Sequence, residues 1–193
     1  MGCGLCPRLM KGMNFNMSMY KLIFAGFGGQ GILFAGRVAA YAGFLAGKEV
    51  TWLPAYGAEA RGGTSNSAVI ISDNLIGSPI VRNPNYLTVM NLPSLDRFES
   101  LVETGGTVFV DSTIIKRKVN RDDIKSIYVP ATELADENGF PKLANVIMLG
   151  NMMKITGIFS PEEMYAAIKK SVSVSKTDLI EKNYKAFDIG YNF

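Results

Sequence analysis

The stretch from Tyr20 to Lys48 constrains this chain more than any other. It begins with the apolar run Tyr20-Lys21-Leu22-Ile23-Phe24-Ala25 and passes through Gly26-Phe27-Gly28-Gly29-Gln30-Gly31. It then continues as an apolar run, rich in Ala and Gly, that ends at Gly47. A run of strand length that feeds a glycine turn, which in turn opens a helix, is the first β-turn-α unit of an open α/β sheet. Gly26 permits a tight turn off the strand. Gly28 and Gly29 lack a Cβ, so another group can approach the backbone or φ can be positive, and Gly31 lets the helix lie near the sheet. The helix N-terminus then offers unpaired N–H groups to an anion.

The glycine pattern alone does not specify a nucleotide, because such turns also serve packing. A dinucleotide fold wants an acid at the end of the second strand, about 20 residues on, for the ribose. Glu49 has that spacing but precedes the next strand. Where that strand should end, the chain reads Pro54-Ala55-Tyr56-Gly57. The pattern therefore argues against NAD and for a structural or interface role of the turn.

Composition narrows the classes. The chain has 193 residues, 48% hydrophobic and 19% charged, with a net charge of +3. That suits one globular domain with a real core. The charge is too mild for nucleic acid, and the basic triplet Lys116-Arg117-Lys118 reads as solvated surface. The absence of histidine excludes a Ser-His-Asp triad, a Cys-His pair and a histidine metal site. The two cysteines, Cys3 and Cys6, are too few for a zinc or iron-sulfur site, and no βαβ pattern surrounds them. Met1–Ser18 reads as a disordered leader, with translation starting near Met17 or Met19, and residues 19–193 read as one domain. No signal peptide or membrane-length apolar run is apparent, so a cytoplasmic protein is expected.

Along the chain, Val50-Thr51-Trp52-Leu53 is a strand stopped by Pro54, and Ser67 to Ser72 is a third strand. Tyr86 to Asn91 is a fourth, followed by a helix that starts at Pro93 and is closed by Gly105-Gly106. Thr107 to Asp111 and Ser126 to Pro130 are further strands. Helices are expected over Thr132–Glu137 and Lys142–Ile155, and from the capping box Ser160-Pro161-Glu162-Glu163 to Ser171. A last helix begins near Ser175, with Leu179, Ile180, Tyr184 and Phe187 on one face and Gly190 to Phe193 as a tail. Strands alternating with helices, most of them continuous apolar runs, predict an α/β fold: a single-domain, three-layer Rossmann-like sandwich with a largely parallel sheet.

Ligands of such sheets meet the carboxyl ends of the strands. Two glycine loops belong at that edge, 26–31 and 56–66. Arg61 is the only guanidinium in either loop. Beside Gly62 and Gly63 it can clamp a phosphate or carboxylate, with Thr64 and Ser65 as further donors. An Arg61–Glu59 pair that stiffens the loop, or a contact with a partner chain, explains it equally well. Asp111 and Ser112 reach the same edge, with loop capping as the simpler role. No self-sufficient catalytic set is present.

The residues Gly26-Phe27-Gly28-Gly29-Gln30-Gly31, Thr51-Trp52-Leu53-Pro54 and Tyr56-Gly57-Ala58-Glu59-Ala60-Arg61-Gly62-Gly63-Thr64 occur in that order. Together they resemble the gamma subunit of 2-oxoacid:ferredoxin oxidoreductases, and are most similar to the 2-oxoglutarate type. Gly77-Ser78-Pro79-Ile80, Asn91-Leu92-Pro93-Ser94-Leu95-Asp96 and Lys185-Ala186-Phe187 agree. Ala58 and Ala60 depart from the Pro and Met frequent in the family. The resemblance implies part of an enzyme that decarboxylates a 2-oxoacid oxidatively with coenzyme A, giving acyl-CoA, carbon dioxide and reduced ferredoxin. Thiamine diphosphate would sit on alpha and beta subunits, and iron-sulfur clusters on beta and delta. This chain would hold neither and would be inactive alone. It would pack beside the active site, with Gly26, Gly28, Gly29, Gly31, Arg61, Gly62, Gly63 and Thr64 against coenzyme A or the partner subunits. A free-standing nucleotide-binding protein or NAD(P)-dependent oxidoreductase, and a scaffold without a ligand, remain alternatives.

Overall fold

The computed structural model describes residues 19–56, 64–172 and 177–193. The expected leader, residues 1–18, and the segments 57–63 and 173–176 lie outside the described residues. The strands are β1 (Met19–Phe27), β2 (Glu49–Tyr56), β3 (Thr64–Ser72), β4 (Tyr86–Val89), β5 (Thr107–Asp111) and β6 (Lys125–Val129). The helices are α1 (Ile32–Leu45), α2 (Leu92–Phe98), α3 (Ala131–Glu137), α4 (Ala144–Thr156), α5 (Pro161–Ser171) and α6 (Thr177–Asn192).

These strands form one sheet in the order β2-β3-β1-β4-β5-β6. The pairs β1–β4, β4–β5 and β5–β6 are parallel, whereas β3 runs antiparallel to both β1 and β2. The sheet is thus mostly parallel with one reversed strand. The reversal follows from the chain: β2 and β3 have no helix between them, and a short connection can join only antiparallel neighbours. β2 also runs through Pro54, which sits opposite Ser67, rather than stopping there. β2 is an edge strand, where a residue without an N–H can be tolerated.

Alternation along the strands divides the core. Leu22, Phe24, Val69 and Ile71 pack under α1, α4, α5 and α6, whereas Ile23, Ala25, Leu87 and Val89 pack under α2. The first side is the thick one.

Local signals explain most helix ends. Ser160 accepts from the Glu163 N–H while Glu163 accepts from the Ser160 N–H, the capping box that starts α5. Asn91 caps α2 by accepting from the Ser94 N–H at 2.8 Å. Three expectations fail. α2 ends at Phe98 and passes into a 3-10 turn over Glu99–Leu101, so Gly105-Gly106 instead shape the turn into β5. Residues 190–192 are not a tail but the last turn of α6. The buried face of α6 is Asn183, Ala186, Phe187 and Gly190, and Leu179 lies exposed.

The reason for that end is the α4–α6 crossing. A Cβ on Gly190 would stand 1.9 Å from the Ile147 carbonyl oxygen, and one on Gly150 would stand 2.1 Å from that of Phe187. The two backbones touch, which only glycine allows. Beside the crossing, the Tyr165 hydroxyl donates to the Asp188 carboxylate. That bond, then burial, pushes the phenol up to about 12.

Candidate functional site

β1 is followed by α1 on the thick side, and its neighbour β4 by α2 on the other side. The carboxyl edge between β1 and β4 is therefore the topological switch point, where open α/β sheets usually take ligands. Here Gln30 fills it. Its Oε1 accepts from the Phe27 N–H at 2.6 Å and its Nε2 donates to the Met90 carbonyl at 2.9 Å. Met90 in turn donates to the Ala25 carbonyl at 2.9 Å. One side chain thus ties the ends of both strands across the crevice. The sequence showed Gln30 inside the glycine motif but gave no sign of this role, because its partner Met90 is 60 residues away.

The glycines around Gln30 divide into two kinds. Gly26 is still in β1, and a Cβ there would meet Gln30 Oε1 at 2.7 Å and Ile32 at 2.8 Å. Gly31, with φ +75°, is the N-cap of α1, and a Cβ there would meet Asn145 Nδ2 at 2.5 Å. These two make room for the chain's own side chains. Gly28 and Gly29 form the exposed tip of the turn, and Gly29, with φ +99°, has nothing within 4 Å of an added Cβ. α1 has no side-chain cap and no acid in its first turn, so its first N–H groups point outward without internal partners.

The other loop opens at the same edge. Thr64 begins β3 opposite Phe27, and Tyr56 ends β2 opposite Ser65. Arg61, Gly62 and Gly63 lie outside the described residues. Tyr56 is 76% exposed; Trp52, Phe44 and Leu45 continue an exposed apolar flank over β2 and the end of α1, and Leu53 is exposed on the opposite face of β2. Trp52 is anchored at its indole N–H, which donates to Ser67 Oγ at 2.8 Å.

Asp111 is fully buried and caps loops. It accepts from the Thr113 N–H at 3.1 Å and from Thr132 Oγ1 at 2.5 Å. Arg117 is not simply solvated: it donates to Asp96 and to the buried Glu99, both at 2.7 Å. The bond to Glu99, seconded by Asp96, raises its pKa further. Among the described residues no three His, Cys, Asp or Glu side chains come together as a metal site. No described helix is long and apolar enough to cross a membrane.

The described residues thus form an α/β domain that presents a glycine turn at the switch point and an exposed apolar flank beside it. The chain belongs to the pyruvate ferredoxin/flavodoxin oxidoreductase family, whose model matches residues 21–193. It is 39% identical over 166 residues to ketoisovalerate oxidoreductase subunit VorA of Methanothermobacter thermautotrophicus, covering 86% of this chain but 34% of that protein. The chain thus spans about a third of that relative's length. It is 38% identical over 170 residues to 2-oxoglutarate synthase subunit KorC of Methanocaldococcus jannaschii, covering 86% of this chain and 89% of that subunit. Among solved structures it resembles the gamma subunit of keto/oxoacid ferredoxin oxidoreductase from Geobacter sulfurreducens. The TM-score is 0.75 at 30% identity, over 90% of this chain and 96% of that one.

Proposed function

We propose that this chain is the gamma subunit of a multi-subunit 2-oxoacid:ferredoxin oxidoreductase that converts 2-oxoglutarate and coenzyme A to acyl-CoA, carbon dioxide and reduced ferredoxin. The observation that carries the reading is the match to a KorC subunit over 89% of its own length. The partners are alpha, beta and delta subunits. Thiamine diphosphate and iron-sulfur clusters, held by those subunits, supply the carbanion chemistry and the electron path.

The chain's own part is binding and enclosure. The exposed Gly28-Gly29 tip and the uncapped start of α1 suit an anionic group of coenzyme A or of a neighbouring subunit. Arg61, with Gly62, Gly63 and Thr64, supplies the fork for a phosphate or carboxylate. The exposed apolar flank of β2 and α1 suits a subunit interface, since patches of this kind mark contact surfaces. The nucleotide-binding alternative is disfavoured by Gln30 in the switch-point crevice and by the missing acid. The VorA relative, at 39% identity, favours a second reading in which ketoisovalerate is the substrate.

The test is purification at native expression level, followed by coenzyme A-dependent ferredoxin reduction with 2-oxoglutarate, ketoisovalerate and pyruvate in turn. Thiamine-enzyme chains should co-purify, and 2-oxoglutarate should turn over fastest. Turnover of ketoisovalerate alone would move the chain to the second reading, and a chain that purifies alone would end both. In the active complex, Arg61→Ala should raise the apparent coenzyme A constant or weaken assembly by about ten- to a hundredfold. Arg61→Lys should recover only part of it.

A further inference from the structure

On the thick side of the sheet a cavity of about 340 Å³ lies between α1, the start of α4, the end of α5 and α6. Eight buried side-chain polar atoms among the described residues lack a hydrogen-bond partner, and four of them belong to residues that line this one cavity. They are Arg37 Nε, Asn145 Oδ1, Ser171 Oγ and Asn183 Oδ1. Asn145, Ser171 and Asn183 are each more than nine-tenths buried. Leaving such an atom unsatisfied costs about 1–3 kcal/mol, so four in one place mark a site that something fills.

The orientation of the two amides is fixed. Asn145 Nδ2 donates to the Gly31 carbonyl at 3.0 Å, and Asn183 Nδ2 donates to the Leu179 carbonyl at 2.6 Å. A carbonyl only accepts, so the free atom of each amide is its oxygen. Arg37 donates through Nη2 to the Ser171 carbonyl at 3.0 Å, which leaves Nε–H as a donor. Lys142 also lines the cavity. Neither cation has a carboxylate partner among the described residues. The rest of the wall is apolar: Phe34, Leu143, Val172 and Leu179.

We propose that this cavity binds a small apolar α-amino acid. Two acceptors require a ligand with donors, which an ammonium supplies. The half-buried Arg37, whose Nε–H is free, favours an anion, which a carboxylate supplies, and Lys142 stands exposed at the rim. The apolar wall takes an aliphatic side chain, and the volume falls at the small end of ligand pockets. Water satisfies the polar atoms singly but leaves the half-buried Arg37 guanidinium without a counter-charge. Asn145 joins the cavity to the N-cap of α1, so occupancy bears on the glycine turn. The inference does not rest on the oxidoreductase reading, because its readout is binding to this chain.

The test is calorimetry and thermal shift on the full 193-residue chain with L-leucine and L-valine. The controls are 4-methylpentanoate, which lacks the ammonium, and leucinamide, which lacks the carboxylate. At least one amino acid should bind saturably and raise Tm with concentration. Each control should bind about tenfold more weakly or worse. Asn183→Leu removes one acceptor at similar size and should weaken binding by about tenfold without lowering the unliganded Tm by more than a few degrees. Ser171→Ala, a smaller change, replaces it if that variant does not fold, and should weaken binding too. No saturable binding, controls equal to the amino acids, or a folded variant that binds like wild type would each overturn the proposal.

Discussion

Glycine does two different jobs in two regions of this molecule. In the turn at 26–31, Gly28 and Gly29 stand exposed, and an added Cβ at Gly29 meets nothing within 4 Å. At the α4–α6 crossing, a Cβ added at Gly150 or Gly190 would stand only about 2 Å from backbone of the other helix. The first region is open and faces outward; the second is closed and holds the fold together. Between them stands Gly31, which has a positive φ and is filled by Asn145. A glycine-rich motif therefore mixes residues kept for the chain's own packing with residues left available to a partner. Only the packing partners tell them apart.

The largest expected effect breaks the closed region. Gly190→Ala places a methyl group against the Ile147 backbone, which no rotamer change can relieve. It should destabilise the chain by about 3 kcal/mol or more, a fall in Tm of about 6–12 °C by calorimetry. A loss below about 1 kcal/mol would mean that α4 and α6 do not touch there.

The next pair sharpens the contrast inside the turn. Gly31→Ala combines a left-handed backbone with displacement of Asn145 and should cost about 2 kcal/mol in denaturant unfolding. Gly29→Ala pays only for its backbone conformation, about 1 kcal/mol, and its larger effect should fall on assembly with partner subunits. Equal losses from both would erase the distinction between filled and open glycines.

The smallest effects come from pH. The Tyr165 phenol is raised to about 12 by its bond to Asp188, whereas a free phenol titrates near 10. A raised folded pKa means that this contribution is complete below about 10 and lost as pH climbs through about 12. Tyr165→Phe should remove that part of the alkaline decline. On the other flank, hydrogen bonds from Arg121, then Thr104, hold Asp123 down to about 2. Its contribution is complete above the ordinary carboxylate range and lost as pH falls toward about 2. Arg121→Gln should flatten that acid limb slightly, as read by thermal melts across pH.

The local parts of this fold were legible in the sequence. The strand, turn and helix from Tyr20 to Gly47 and the capping box at Ser160 are encoded by residues a few positions apart. β2 continuing through Pro54 was not, because whether a proline is tolerated depends on the strand lying at an edge, which is a tertiary fact. The largely parallel sheet was readable from the apolar runs, and the reversed direction of β3 had a sign, since no helix separates it from β2. Gly190 looked like a chain end because its reason, Ile147, lies 43 residues earlier in another helix. The cavity residues Arg37, Asn145, Ser171 and Asn183 belong to no motif. Their one trace is a polar residue inside an otherwise apolar helical face, as Arg37 is in α1. Family membership, by contrast, was readable from the two glycine motifs in order, and the match to residues 21–193 bears it out.

The central claim is that the carboxyl edge around Gly28-Gly29 faces the partner subunits of the assembled enzyme. Hydrogen exchange on the free chain and on the purified complex tests it most directly. The first-turn amides of α1, Ile32 to Phe34, lack internal partners and should exchange fast in the free chain. In the complex, amides from Gly28 to Phe34 should become protected, while those of Ile147–Asn151 and Phe187–Tyr191 stay as they were. Unchanged exchange from Gly28 to Phe34, with protection appearing elsewhere, would contradict the claim and move the subunit contact away from the glycine turn.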